Sequence, residues 1–367
     1  MNRRHAVSVG AAVRTTPLVR DRLGPHSGPH KMHLTLAWRA SIIGAMSKDP
    51  PHIVFAEAFD EDAIESMRAV GRVTILPACD RDTLRNAVAD CDALLVRSYA
   101  IIDDALLAHA KNLRVIGRGG VGLDNIDLEA ARRRSIAVVY APAAATDAVA
   151  DLTIGLMIAL TRNLLSSDQA VRDGAFLEAR QRIRSTELSD LIMGIIGMGR
   201  IGRAVGRRCR DGFHMPVIFH DIVSPGLLDF PAEAVSLDVL LHRADVISLH
   251  VPLTDETRGM IDADALARCK RGAYLINTAR GAVVDAEALA AALGQGRLAG
   301  AAIDVFDPEP PPPDHPLLSA PAVLLTPHLG ARTITALRNM NAVVEDVARV
   351  LGGKTPRFPA PGEEDDG

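Results

Sequence analysis

From Pro51 onward the sequence alternates, with short apolar runs separated by stretches of helical spacing. His52–Ala56, Val73–Leu76, Ala93–Val96, Leu113–Ile116 and Ala137–Tyr140 read as strands, with helical stretches such as Asp60–Val70 and Asp80–Ala89 between them. A second series follows at Ile192–Ile196, Val217–His220, Val246–His250, Tyr274–Asn277, Gly300–Asp304 and Val323–Thr326. Such alternation implies parallel sheets with helices on both faces, an α/β chain. The two series share one pattern, as two related α/β domains would. Between them, after Ala141-Pro142, Thr146 is expected to cap a helix reaching about Leu164. That helix is apolar around most of its circumference and must be covered, between domains or between subunits. A last helical stretch, Ile334–Leu351, leads to residues 355–367, read as an acidic flexible tail.

Composition narrows the function. A chain of 367 residues holds two or three domains at roughly 150 residues each. A net charge of −4 gives no reason to expect nucleic acid, and 3% aromatics argue against stacking platforms for single strands. No apolar run approaches the roughly 18–20 residues of a membrane span; the longest, Leu152–Leu160, follows Asp147 and Asp151. Cys79, Cys91, Cys209 and Cys269 lie far apart, with no CxxC or Cys–His cluster. They read as reduced thiols of a cytoplasmic protein without a metal. Residues 1–50 carry Arg3, Arg4, Arg14, Arg20, Arg22 and Arg39 against Asp21 and Asp49, with four prolines. They read as a disordered leader, with Met46 a candidate start; an Arg-rich transit peptide is the other reading. His26, His30 and His33 sit among Gly and Pro, so nothing rigid holds them.

Two stretches spell GxGxxG. Gly197, Gly199, Arg200, Ile201 and Gly202 follow an apolar run and open a helical segment; the next strand ends at Asp221. Gly197 permits the tight turn, Gly199 a close approach of pyrophosphate, and Gly202 the packing of helix on strand, while helix N-terminal amides face the phosphates. Asp221 can accept from ribose hydroxyls and repels a 2′-phosphate, so NAD is favoured over NADP. Gly117–Gly122 has the same spelling, but its next strand ends without a carboxylate. It reads as a loop whose amides approach a small anion, with a bare glycine-rich turn as the competing reading.

Hydride transfer needs a proton donor and a cation for a carboxylate. His315, beyond a proline run, reads as a solvated loop residue, and His250 as a satisfied core histidine. His328, Arg280 and Glu309 each follow a strand, where α/β sites form. Periodicity alone leaves open whether the three converge or scatter over the surface.

From Ala93 to Lys354 the chain resembles the D-isomer-specific 2-hydroxyacid dehydrogenases. The matching segments are VRS at Val96–Ser98, GRGGVGLDNID at Gly117–Asp127, GIIGMGRIG at Gly194–Gly202, LHVPLTDETRGMI at Leu249–Ile261, INTARGAVVDAEAL at Ile276–Leu289, AAIDVFDPEP at Ala301–Pro310 and TPHLGA at Thr326–Ala331. By position, the resemblance implies that Arg280 binds the substrate carboxylate and polarises its 2-oxo group. It implies that His328 exchanges the proton and that Glu309 orients and charges His328. Val121 and Gly122 would offer amides to the substrate, Asp304 would approach the nicotinamide carboxamide, and Pro252, Thr257 and Thr278 would line the cofactor cleft. Arg97 and Ser98, with Arg118, would meet the substrate's far end, two arginines clamping a phosphate as in the phosphoglycerate dehydrogenase branch.

The implied architecture is two Rossmann-like doubly wound domains with the active site in the cleft between them. Residues 51–143 plus 328–354 would bind substrate and 144–327 NAD, in a homodimer. D-3-phosphoglycerate is the expected substrate. The alternatives are a glyoxylate or hydroxypyruvate reductase, a formate or phosphite oxidase on the same scaffold, or a non-catalytic NAD(H)-sensing protein. Two departures stand out: Leu188–Met193 lacks the usual Leu-x-Gly-Lys-Thr-Leu entry, and Arg207–Met215 is one residue longer than usual.

Overall fold

The computed structural model describes residues 49–362. The leader as far as residue 48, with its histidines, and residues 363–367 lie outside the described residues. The first sheet comprises β1 (His52–Phe55), β2 (Arg72–Ile75), β3 (Ala93–Val96), β4 (Val115–Arg118) and β5 (Ala137–Tyr140), all parallel in the order β2-β1-β3-β4-β5. The second comprises β6 (Met193–Ile196), β7 (Val217–His220), β8 (Glu233–Ala234), β9 (Val246–Leu249), β10 (Tyr274–Asn277), β11 (Gly300–Ile303) and β12 (Val323–Leu325). It too is parallel, ordered β12-β11-β10-β9-β6-β7-β8. Every residue of β3, β4, β6, β9 and β11 is buried, because helices cover both faces. Strand order reverses between β1 and β3 and between β6 and β9. Ligand crevices of open α/β sheets form outside the carboxyl ends at such reversals.

Side-chain caps start many of the helices. Asp80, Asp103, Asp127, Ser236, Asp262, Asp285 and Thr333 each accept a backbone N–H from the first turn that follows. Thr146 does not do so. It lies inside helix Thr146–Thr161, Ala145 precedes it, and its buried hydroxyl has no hydrogen-bond partner. The helix buries Ala148, Val149, Ala150, Thr153, Leu156 and Met157 and leaves Leu152, Ile154 and Ile158 half-buried. It stops at Thr161; Asn163 turns the chain at φ +53°, and the next helix, Leu164–Arg172, buries no residue. Among the described residues no single helix is long and apolar enough to cross a membrane, although these two, bent by 57°, pass that test together.

The chain returns to the first sheet at its end. The expected helix Ile334–Leu351 is two, Ile334–Asn341 and Val343–Leu351, broken at Ala342. Val343, Val344, Val347 and Leu351 share a core with Ile53, Phe55, Leu95 and Val115. The expected flexible tail is docked as far as described. Tyr140 N–H donates to Phe358 O at 3.2 Å and Ala360 N–H to Val138 O at 2.7 Å, bridging the edge of β5. Buried Asp346 accepts from Arg357 Nε at 3.1 Å and from Phe358 N–H at 2.9 Å. Prolines at 356, 359 and 361 rule out a helix here but suit an edge segment.

Candidate active site

Beyond β6, Gly197 turns at φ +95°, and a Cβ on Gly202 would overlap the Gly197 carbonyl. Both glycines are required by the fold itself. Gly199 is different: a Cβ there would meet no atom within 4 Å, and it precedes helix Arg200–Arg207, whose first amides have no intrahelical acceptor. The open space over an N-terminal turn fits a pyrophosphate, so these residues suit NAD. Asp221 lies at the end of β7, where its carboxylate accepts Met198 N–H at 2.7 Å and Val223 N–H at 2.9 Å. The extra residue of Arg207–Met215 is absorbed as a π-helical turn, Arg208–Gly212, with His214 at φ +57°. Pro252 and Thr257 belong to one braced loop, in which the Thr257 hydroxyl donates to Pro252 O at 2.6 Å. Thr278 is buried, its hydroxyl 3.1 Å from that of Thr153.

Arg280, Glu309 and His328 follow β10, β11 and β12 and share that sheet's carboxyl edge. Nδ1 of His328 lies 2.8 Å from Oε2 of Glu309, whose Oε1 accepts Phe306 N–H at 2.9 Å. Burial raises the Glu309 pKa, but its hydrogen bonds to His328 and Phe306 N–H outweigh that and hold it below the usual range. His328 itself sits at φ +52°. Asp304 is buried and faces the His328 loop: it accepts from the Thr326 hydroxyl at 2.6 Å, Leu329 N–H at 2.7 Å and Gly330 N–H at 2.9 Å. In this arrangement it braces the loop, where the resemblance implied an approach to the nicotinamide.

The first sheet contributes the opposite face. Among the described residues no acceptor takes the N–H of Val121 or Gly122. Arg118 ends β4 itself and does not follow it, because β4 runs two residues further than its apolar core suggests, pairing Arg118 with Val96. The side chain is buried, its Nε has no partner, and burial pushes its pKa down to about 10, so it stays charged at neutral pH. Arg97 follows β3 as expected, but its guanidinium is engaged. It donates to Ala58 O at 2.7 Å and Asn341 Oδ1 at 2.6 Å and stacks 4.4 Å above Phe59.

Two carboxylates escaped the sequence reading. Glu57, after β1, accepts the backbone N–H groups of Arg97, Ser98, Tyr99 and Ala100 at 2.8–3.2 Å. Asp124 pairs with Arg280. Asp124 lies inside the segment Gly117–Asp127, where the resemblance assigns it no role, and Glu57's only signal is its position at a strand end. The other histidines divide. His250 bonds Ser248 Oγ at 2.9 Å, and burial pushes its pKa down to about 3. His315, expected in solvent, is buried against Phe306 and accepts Leu317 N–H at 3.3 Å, because the turn Pro316–Leu318 after the proline run sets Leu317 into the second domain's core. Among the described residues no group of His, Cys, Asp and Glu could hold a metal.

Residues 154–330 match the family model described as the NAD binding domain of D-isomer specific 2-hydroxyacid dehydrogenases. A D-3-phosphoglycerate dehydrogenase of Methanocaldococcus jannaschii is 39% identical over 82% of this chain, which spans 58% of that protein. A glyoxylate reductase of Thermofilum pendens is 40% identical over 76% of this chain and 84% of its own length. The crystal structure of a D-lactate dehydrogenase from Aquifex aeolicus, complexed with NAD and lactic acid, superposes with a TM-score of 0.76 at 30% identity. The superposition covers 82% of this chain and 96% of that one. At 39% and 40% identity over 82% and 76% of its length, the chain belongs to the D-isomer specific 2-hydroxyacid dehydrogenase family.

Proposed function

We propose that the protein is an NAD-dependent dehydrogenase of D-2-hydroxy acids, acting on D-3-phosphoglycerate. The observation that carries the reading is the His328–Glu309 pair beside Arg280, on the same sheet edge as the glycine loop. Bound NAD supplies the hydride acceptor, and NADH the donor. Gly199 and the amides of Arg200 and Ile201 receive the pyrophosphate, and Asp221 the adenosine ribose. Arg280 binds the carboxylate and polarises the 2-oxo group, with the free Val121 and Gly122 amides completing the anion site. His328, whose Nε2 is left over by the Glu309 bond, gives a proton to the 2-oxo oxygen in reduction and takes it back in oxidation. Glu309 stabilises the protonated ring.

Arg118 supports phosphate recognition: it is a buried cation with an unpartnered Nε. A second reading, glyoxylate or hydroxypyruvate reductase, draws support from the engaged guanidinium of Arg97 and from Glu57 filling the amides of residues 97–100. One experiment separates them: NAD reduction with D-3-phosphoglycerate and D-glycerate, beside NADH oxidation with glyoxylate and hydroxypyruvate. Preference for the phosphorylated acid supports the first reading, equal activity the second, and absence of turnover a non-catalytic NAD(H) binder. Exposed Leu164, Leu165, Val171, Phe176 and Leu177, beside the half-buried face of helix Thr146–Thr161, favour a homodimer. Four free thiols favour the cytoplasm.

A further inference from the structure

Arg280 and Asp124 come from different sheets and meet across the cleft. Arg280 Nε lies 3.0 Å from both Asp124 oxygens, and Nη2 lies 2.8 Å from Oδ1. Nη1 donates to Ala279 O at 2.7 Å. A guanidinium has five N–H donors. Once Asp124 has the Nε and Nη2 edge and Ala279 one proton of Nη1, one proton remains on each Nη. These belong to the end of the fork, the geometry that grips a carboxylate with two parallel bonds.

Asp124 is itself held firmly. The neighbouring Asn125 donates to Arg97 O at 3.1 Å and Ala100 O at 2.8 Å, and Glu57 pins the same stretch through its amides. Gly122 completes the fit, since a Cβ there would overlap the Arg280 guanidinium. Burial raises the Asp124 pKa, but the Arg280 hydrogen bonds and charge outweigh it, so the carboxylate is ionised at neutral pH.

We propose that Asp124 is a positioning residue. From the first sheet it holds Arg280 side-on, so the free end of the guanidinium meets the substrate carboxylate only when the two halves of the cleft are apposed. The proposal rests on the dehydrogenase reading, and turnover of the chosen 2-oxo acid by the parent protein, measured first, tests that reading separately.

The test compares Asp124→Ala and Asp124→Asn with the parent in steady-state reduction of hydroxypyruvate or glyoxylate, whichever the parent reduces faster. Asp124→Ala should lose about 10²-fold in kcat/KM, the scale of a small misplacement of a catalytic group, with most of the loss in the KM for the acid. The KM for NADH and the thermal midpoint should stay at parental values. Asp124→Asn, whose Oδ1 can still accept one bond from Arg280, should recover about tenfold of that loss. A lower KM for the acid in Asp124→Ala would show that Asp124 competes with substrate for Arg280, and it would overturn the proposal. So would unchanged kinetics, or a fall in kcat alone that tracks the fraction of folded protein.

Discussion

Gly117–Gly122 and Gly197–Gly202 each spell GxGxxG at the end of a parallel strand, yet their glycines make room for different things. In the later loop the crowding is backbone, Gly202 against the Gly197 carbonyl and Gly197 against that of His250, while Gly199 faces open space. In the earlier loop the crowding is side chain. Gly117 lies against Val347, Gly119 against Phe59, Gly120 against the Arg118 guanidinium and Gly122 against that of Arg280. The later glycines fit a helix start to a phosphate; the earlier ones fit two cations beneath a loop. The spelling specifies only a missing Cβ, and the neighbours decide what the gap admits.

In the proposed mechanism both loops serve one proton-transfer centre, so the largest expected effect belongs to neither. His328→Ala should lower kcat by about 10²–10⁴, the usual worth of general acid–base help, with NADH binding intact. A loss smaller than about tenfold would move the proton transfer to another group.

The loops themselves should then separate. Gly122→Ala pushes a methyl into the Arg280 guanidinium and should cost about 10²-fold in kcat/KM for the 2-oxo acid, with NADH affinity unchanged. Gly202→Ala pushes a methyl into backbone that cannot swing away. It should cost about 1–3 kcal/mol of stability, read as a lower thermal midpoint, and weaken NADH binding. The KM for the acid at saturating NADH should not move. If both variants gave the same kinetic signature, the distinction between the loops would collapse.

The same contrast explains what the sequence could disclose. Backbone-determined features were legible: the strands Ala93–Val96, Ala137–Tyr140, Val217–His220 and Tyr274–Asn277 stand where their apolar runs lie, and the glycine turn at Gly197 has the expected form. The convergence of Arg280, Glu309 and His328 on one sheet edge was legible only through the resemblance. Features set by long-range side-chain partners were hidden. Arg118 reads as a residue past its strand because Gly117 ends the apolar run, although the strand continues and buries it. Arg97 looked free because nothing local reveals that Ala58 and Asn341 take its donors. The docking of residues 355–362 on β5 depends on Asp346 meeting Arg357, which no periodicity records.

Glu309 and His328 offer a smaller, pH-resolved test on the cofactor-bearing side. A carboxylate held below its ordinary pKa contributes stability that is present above the unfolded value and lost as pH falls through the folded one. At neutral pH it is therefore a fixed negative charge beside the ring. Glu309→Gln removes that charge and leaves protonated His328 less stabilised. Reduction of the 2-oxo acid needs the protonated ring, so its high-pH limit should move to lower pH. Oxidation, which needs the neutral ring, should gain activity on its acidic side. A profile that does not move would remove Glu309 from its role.

Asp221 should give the smallest effect, and it returns to the difference between the loops. Where Asp124 reaches from the earlier loop to a side chain, Asp221 reaches back to the later loop's backbone, accepting Met198 N–H. The proposed reading gives it two separable jobs: accepting hydrogen bonds, from the loop and from the ribose, and repelling a 2′-phosphate. Asp221→Ala removes both and should weaken NADH binding while narrowing the preference for NAD over NADP by about tenfold. Asp221→Asn keeps an acceptor for Met198 N–H but loses the charge. It should narrow the preference to the same extent while retaining parental NADH affinity. Asp221→Asn with the preference intact would mean that hydrogen bonding alone, and not charge, selects the cofactor. Comparable kcat/KM for NAD and NADP in the parent would remove Asp221 from cofactor selection and leave it as a brace of the glycine loop.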